Sequence, residues 1–256
     1  MSEQPGPSPA YANPIQAPGT DEALWRDWDG WRALPELRLP EAGRVVVVAA
    51  HPDDEVLGAG GTMAMLADAG TALTVVSVTD GEQSHADSKA VTPRQLTQLR
   101  AEELRQALAA LGTRAAHVVR LQVPDTRVAF HEDEIVKALV PVLEGAALCL
   151  APWIGDVHGD HEAAGRAALA AAAQASVPCL MYPVWMWHWA RPGDPRVPWP
   201  SAHRVTLPAD VQARKRAAVA RFATQVEPIG PAPEDAAVLP PDEVAHHLRA
   251  HEVMFQ

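Results

Sequence analysis

His51, Asp53 and Asp54 stand directly behind the most strand-like run of the chain, in the segment Ala50-His-Pro-Asp-Asp-Glu55. Far downstream, His158, Asp160 and His161 follow a second apolar run, Ala146 to Ala151. The first cluster has His-x-x-Asp spacing and the second His-x-x-His, and two such clusters can close a catalytic metal site. Catalytic zinc takes three ligands from histidine or carboxylate and keeps a fourth position open for water. His51, Asp54 and His161 make that set. Asp53, beside a ligand yet directed elsewhere, is then free to act as general base on the water. His158, one helical turn from His161, can face a developing oxyanion as a cation or donor. Asp160 can bond a ligand or catalytic histidine and fix its tautomer. Any one of these residues alone reads as an ordinary loop residue; the weight comes from two clusters at matching positions.

The elements around them set that match. Val45–Ala50 is continuously apolar, as in a central parallel strand buried on both faces. A helix is expected over Gly58–Ala69, with Gly58, Gly60 and Gly61 letting the backbone turn tightly into it, and a strand over Leu73–Val78. Thr92, Pro93 and Gln95 form a helix start, capping residue first, and Gly112 ends that helix after Leu111. His117–Leu121 reads as a strand, Glu132–Leu143 as a helix, Ala146–Ala151 as a strand and His161–Gln174 as a helix. Pro178–Val184 reads as an edge strand. From Pro208 a helix runs to about residue 222, and a short helix lies near Asp242–His251. Alternating strands and helices predict an α/β layered fold with a mainly parallel sheet. Ligands bind such sheets beyond the C-terminal strand ends. The loops carrying His51, Asp125 and His161 therefore meet on one rim.

Composition narrows the function classes. The chain has 256 residues, 48% of them hydrophobic, and a formal net charge of −11. That balance argues against nucleic acid or an anionic membrane as a partner. Residues 58–61 lack the G-x-G-x-x-G spacing of a dinucleotide site. Neither a signal-peptide pattern nor a run of membrane-spanning length is present, so a cytoplasmic protein is expected. Cys149 and Cys179 read as small buried hydrophobes. Residues 1–20, rich in proline, are expected to be a flexible extension and 21–256 a single domain. Trp25, Trp28 and Trp31 suggest a short helix packed on the main body.

Ala50-His-Pro-Asp-Asp-Glu55 with Gly58-Ala-Gly-Gly61, taken with His158-Gly-Asp-His161, resembles the LmbE-like, or PIG-L, family of metal-dependent N-deacetylases. The resemblance covers roughly residues 43–185. Smaller matches are Thr79-Asp-Gly-Glu82, Arg100 with Glu103, and Asp125. It implies a Rossmann-like three-layer α/β sandwich and places the metal ligands on His51, Asp54 and His161. It places the general base on Asp53 and the oxyanion-stabilising histidine on His158. Arg100 and Asp125 fall where family members hold sugar hydroxyls. The implied reaction hydrolyses the N-acetyl amide of an N-acetylglucosamine-type conjugate, with Zn²⁺ or, in the cell, Fe²⁺ as cofactor. A related amidase for a larger acyl or thiol-conjugate group is one alternative, and a non-catalytic metal- or ligand-binding module another.

Trp185, Trp187 and Trp189 alternate with Val184, Met186 and His188, a period-two pattern that would put the three indoles on one strand face. They are either packing over the sheet or an aromatic wall for the substrate, in which case Trp187 and His188 are substrate contacts. Oligomeric state and aglycone are not legible.

Overall fold

The computed structural model describes residues 14–256. Residues 1–13, most of the expected extension, lie outside that range. Seven strands form one sheet: β1 (Arg44–Ala49), β2 (Ala72–Ser77), β3 (His117–Arg120), β4 (Leu148–Pro152), β5 (Cys179–Tyr182), β6 (Ala202–Thr206) and β7 (His251–Phe255). Their order is β3-β2-β1-β4-β5-β7-β6. β1 to β5 run parallel, and β7 joins β5 and β6 antiparallel. Val45 to Val48 are fully buried because helices cover both faces. On one side lie α2 (Asp54–Asp68), α3 (Pro93–Leu111) and α7 (Ala209–Val219); on the other lie α4 (Glu132–Leu143) and α5 (Gly159–Ala175). The expected three-layer α/β sandwich with a mainly parallel sheet is what forms.

Three expectations need correction. The helix after β1 starts at Asp54, not at Gly58. Gly58, Gly60 and Gly61 lie inside it, and a Cβ on Gly58 would come within 2.1 Å of Tyr182 Cδ2. Gly58 thus serves close packing of helix on strand rather than a turn. β5 is interior, flanked by β4 and β7, since the C-terminal pair β6–β7, which the pattern did not suggest, extends the sheet past it. Residues 185–189 form not a strand but a short helix, α6 (Met186–Trp189).

The tryptophans near the N-terminus lie on two short pieces, α1 (Glu22–Arg26) and a 3-10 turn over Asp29–Ala33. Trp25 and Trp31 pack against Trp187 in a third cluster beside β5 and β7. The remaining helices are α8 (Ala223–Val226) and α9 (Pro241–His246). Among the described residues, no helix is long and apolar enough to cross a membrane.

β1 and β4 are neighbours, but the chain leaves β1 toward β2 on one side and β4 toward β5 on the other. That reversal opens a crevice at their C-terminal ends, the usual ligand position in such sheets.

Candidate active site

His51 leaves the end of β1, Asp53 precedes α2, Asp54 opens it, and His158 and His161 bracket the first turn of α5. The crevice between β1 and β4 therefore collects all five. His51 Nδ1 lies 3.3 Å from Asp54 Oδ2, His161 Nε2 lies 3.2 Å from Asp54 Oδ1, and the two ring nitrogens lie 3.3 Å apart. A tetrahedral centre with bonds of roughly 2.0–2.1 Å separates its ligand atoms by about 3.3–3.4 Å. The contacts are of that order, although the two imidazoles approach different Asp54 oxygens, and these three side chains form a candidate metal group whose ligand atoms lie within 4.8 Å of one another. His51, His158 and Asp160 form a second combination, but both Asp160 oxygens already accept the backbone N–H groups of Thr126 and Val128.

The far nitrogens of the two candidate ligand histidines are held by carboxylates. His161 Nδ1 lies 2.7 Å from Asp156 Oδ2. His51 Nε2 lies 3.2 Å from Asp125 Oδ1 and 3.4 Å from Asp160 Oδ2. These contacts direct His51 Nδ1 and His161 Nε2, as lone-pair donors, toward Asp54. Asp160 makes one of these contacts, and Asp156, which the sequence pattern does not single out, makes another. Asp156 is fully buried and accepts the N–H groups of Val184, Trp185 and Met186 besides its bond to His161. One carboxylate therefore ties the loop after β4 to the turn after β5.

The charge balance at this spot calls for a cation. Burial alone would lower the His51 pKa, yet Asp125, Asp160 and Asp54 hold it well above the ordinary range. Burial opposes charge on His161 too, but Asp54 and Asp156 push it up to about 9. Against its own burial, Asp54 is held well below the usual carboxylate range by His161 and His51. Four carboxylates around two imidazoles demand positive charge between them, and a metal ion competes with protons for that role.

Asp53 sits in strained backbone, φ 153°, with the cost such geometry carries for a non-glycine residue. Burial pushes its carboxyl up to about 6, while Arg100 pulls the other way. Arg100 Nη2 donates to Asp53 Oδ2 at 3.0 Å and to the Pro52 carbonyl at 2.9 Å; Nη1 donates to the Gly81 carbonyl at 3.0 Å. Gly81 has φ 65°, and a Cβ there would lie 1.9 Å from Arg100 Nη1, so no side chain fits. Glu55 Oε2 accepts the Asp53 N–H at 3.2 Å. Burial first, then Asp53, pushes the Glu55 carboxyl up to about 8. His158 lies over the triad, its ring centroid 4.4 Å from that of His161. Burial and the neighbouring imidazoles drive its pKa well down, leaving a neutral ring whose Nδ1 has no partner among the described residues.

His51, Asp53, Asp54, His158 and His161 line a cavity of about 930 Å³, together with Arg100 and Asp125. Trp187 does not line it. It is 5% exposed and packs in the tryptophan cluster with Arg249 over its ring. The expected aromatic contact from Trp187 is thereby corrected: the α6 turn rotates it away and brings Trp185 and His188 to the cavity instead. His188 Nδ1 lies 2.6 Å from Glu243 Oε2, and its Nε2 2.9 Å from the Ala17 carbonyl.

The PIG-L family, described as GlcNAc-PI de-N-acetylase, matches residues 46–172, the stretch that runs from β1 through α5. This chain carries a PIG-L domain. Over 140 residues it is 31% identical to the diacetylchitobiose deacetylase of Thermococcus kodakarensis, covering 53% of this chain and 51% of that protein. Over 134 residues it is 34% identical to a probable N-acetyl-α-D-glucosaminyl L-malate deacetylase 2 of Bacillus cereus, covering 50% and 60%. The chain thus spans about half to three fifths of these relatives' lengths. Among solved structures, the conserved protein TT1542 from Thermus thermophilus matches with a TM-score of 0.53 and 27% identity, covering 71% of this chain and 79% of that one. The PIG-L domain here holds both clusters of the candidate metal group.

Proposed function

We propose that the chain is a zinc-dependent N-deacetylase that removes the acetyl group from an N-acetylglucosamine-type conjugate. The observation that carries this is the cluster of His51 Nδ1, His161 Nε2 and the two Asp54 carboxylate oxygens, with contacts of 3.2–3.3 Å, and Asp53 beside it. The relatives named above act on N-acetylated sugars, one with a neutral and one with an anionic partner, by their names. Two histidines and one carboxylate suit zinc, and they suit ferrous iron as well. A cation held there would polarise the amide carbonyl and lower the pKa of a water.

The chain's own residues divide the remaining work. Asp53, near 6 and held by Arg100, takes a proton from the attacking water and returns it to the leaving nitrogen as the C–N bond breaks. Acetate and a free amine result. His158, its pKa driven well down by burial, donates to the oxygen on which negative charge develops. Asp156 and Asp160 keep the two ligand imidazoles in the right tautomers. Asp125, on the cavity wall, is placed to accept a sugar hydroxyl. With two free thiols, the chain suits a reducing compartment, and we place the reaction in the cytoplasm.

Metal analysis of the purified protein, paired with amine release from a panel of N-acetylated sugars, tests the reading. One equivalent of zinc and acetate release that a chelator abolishes are expected. A fully loaded protein that releases no amine from any of them would overturn it. Varying the acyl group in the same panel decides between acetyl and a larger amide.

A further inference from the structure

The proposed chemistry leaves one buried carboxyl group of the first cluster unused. Glu55 is fully buried and does not line the cavity, so it meets neither solvent nor a ligand there. Taking a carboxyl group out of water is costly unless new bonds replace the lost hydration. Its Oε1 has no partner among the described residues. A leucine would fill the same space without that cost, so the reason for a glutamate lies with Oε2.

Oε2 accepts the Asp53 N–H at 3.2 Å. That N–H is one end of the Pro52–Asp53 peptide. The other end, the Pro52 carbonyl, accepts Arg100 Nη2 at 2.9 Å. A peptide is a rigid plane, so gripping it at both ends fixes its orientation. On the far side of the Asp53 Cα, the Asp53 carbonyl accepts the N–H groups of Val56 and Leu57, both at 2.9 Å. With the planes on both sides of the Cα held, φ 153° and ψ −31° are set, and the direction of the side chain is set with them.

Residues with a side chain avoid such angles, because Cβ and the backbone clash there. Strained backbone of this kind persists only where its surroundings over-determine it. Arg100 supplies part of that constraint: the same Nη2 that holds the Pro52 carbonyl also donates to the Asp53 carboxylate at 3.0 Å. A guanidinium is a donor only, so it can do nothing for the N–H end of the peptide. Among the described residues, Glu55 supplies the acceptor there.

We infer that Glu55 is a positioning residue, which together with Arg100 clamps the Pro52–Asp53 peptide and so aims the Asp53 carboxylate into the cavity. The clamp itself follows from geometry; its consequence for turnover rests on the deacetylase reading of the site. The bond needs an acceptor oxygen at that reach, and this separates three substitutions. Glu55→Gln keeps the oxygen. Glu55→Asp withdraws it by one methylene. Glu55→Leu removes it and leaves a buried N–H that gains by turning toward another acceptor.

Crystal structures of the zinc-loaded full-chain variants, with kcat, KM and zinc content, test the clamp. In Glu55→Leu, Asp53 leaves the positive-φ region and its carboxylate turns away from the cavity. Zinc content is unchanged, because His51, Asp54 and His161 are untouched. kcat falls about 10²-fold, the scale of an ångström's misplacement of a reacting group, while KM changes little. Glu55→Gln recovers most of kcat and keeps Asp53 in place. Glu55→Asp gives the leucine result and takes its place if the leucine variant does not fold. An Asp53 that stays in place in Glu55→Leu and Glu55→Asp overturns the clamp, whatever their turnover. A Glu55→Gln variant as slow as Glu55→Leu overturns it too. A displaced Asp53, in a protein whose unsubstituted form releases no amine from any N-acetylated sugar, supports the clamp and overturns the deacetylase reading.

Discussion

Asp156 Oδ2 lies 2.7 Å from His161 Nδ1, and the same carboxylate accepts three backbone N–H groups of the turn that follows β5. Orientation of a candidate metal ligand is therefore coupled to the fold of a segment more than twenty residues away in sequence.

That coupling separates two substitutions. Asp156→Ala leaves three N–H groups and a buried imidazole without their acceptor. A loss of about 3–5 kcal/mol is expected for removing one partner of such a buried pair. At roughly 2–4 °C per kcal/mol for a chain of this size, Tm falls on the order of 10 °C. Asp156→Asn keeps an acceptor for part of the turn but puts an amide N–H₂ or a weaker acceptor against His161. Metal affinity is then expected to drop about 10–100-fold with a smaller change in Tm. Competition with a chromogenic chelator and a melting curve read the two effects apart; unchanged affinity in Asp156→Asn would remove Asp156 from the orienting role.

Asp53→Asn is expected to keep the metal and lose turnover by about 10²–10⁴, the span typical of a general acid–base group. His161→Ala is expected to lose the metal itself. Elemental analysis together with single-substrate kinetics distinguishes them, and near-normal turnover in Asp53→Asn would reassign the base.

Arg100 lowers the Asp53 pKa against the effect of burial, so the direction of a pH effect follows. The proposed reaction needs Asp53 ionised, and burial pushes its carboxyl up to about 6, with a bound cation acting to lower it. The acidic limb of kcat/KM should therefore lie at or below about pH 6. Removing Arg100 with Arg100→Met takes away a charge that favours the carboxylate, so the limb moves to higher pH. A limb that stays in place would show that Arg100 does not act through Asp53.

How much of this site could be read in the sequence follows the range of the contacts involved. His51, Asp54, Asp53, His158 and His161 were legible because strand-end position and three-residue spacing are local. Asp156 was not, because its partners at 184–186 are reached only through the folded sheet. The same long-range bond explains the misreading of the tryptophans. Three indoles at every second residue mimic a strand, but Asp156 gathers consecutive N–H groups there and α6 follows. The start of α2 was missed because glycines at 58, 60 and 61 are poor helix formers, and their value appears only in the approach of Tyr182. β7 hid behind Glu252, whose burial depends on Lys215 Nζ at 2.6 Å and on Gly61 and Thr62 N–H groups.

Gly58→Ala weighs two of these effects against each other. In an open helix the change would add about 1 kcal/mol of stability. Here the new Cβ meets the Tyr182 ring at 2.1 Å, and overpacking a filled core costs about 1–3 kcal/mol. Tyr182 cannot move aside cheaply, because its hydroxyl donates to the Val48 carbonyl at 2.6 Å within β1. A net fall in Tm is expected; an increase would mean that the ring relocates at little cost.

His188 joins the segment before α1 to α9. Its Nδ1 faces Glu243 and its Nε2 faces the Ala17 carbonyl, so both contacts are made at once only by the doubly protonated ring. The Glu243 hydrogen bond, partly opposed by burial, accordingly raises its pKa above the ordinary 6.5. The folded-state pKa is raised, so the stabilisation is complete below about 6.5 and is lost as pH climbs through the raised value. The ring is only partly buried, and solvent screening limits the effect to local opening rather than global unfolding. Thr20 N–H, bonded to the His188 carbonyl at 2.8 Å, reports on that opening. Its hydrogen exchange, corrected for intrinsic rate, is expected to speed up severalfold between about pH 6 and pH 9. In His188→Gln it should be fast at both pH values and no longer vary between them. A wild-type rate that does not change with pH would show that the segment is held by its other contact, Thr20 Oγ1 to the Ala190 carbonyl, and not by the imidazolium.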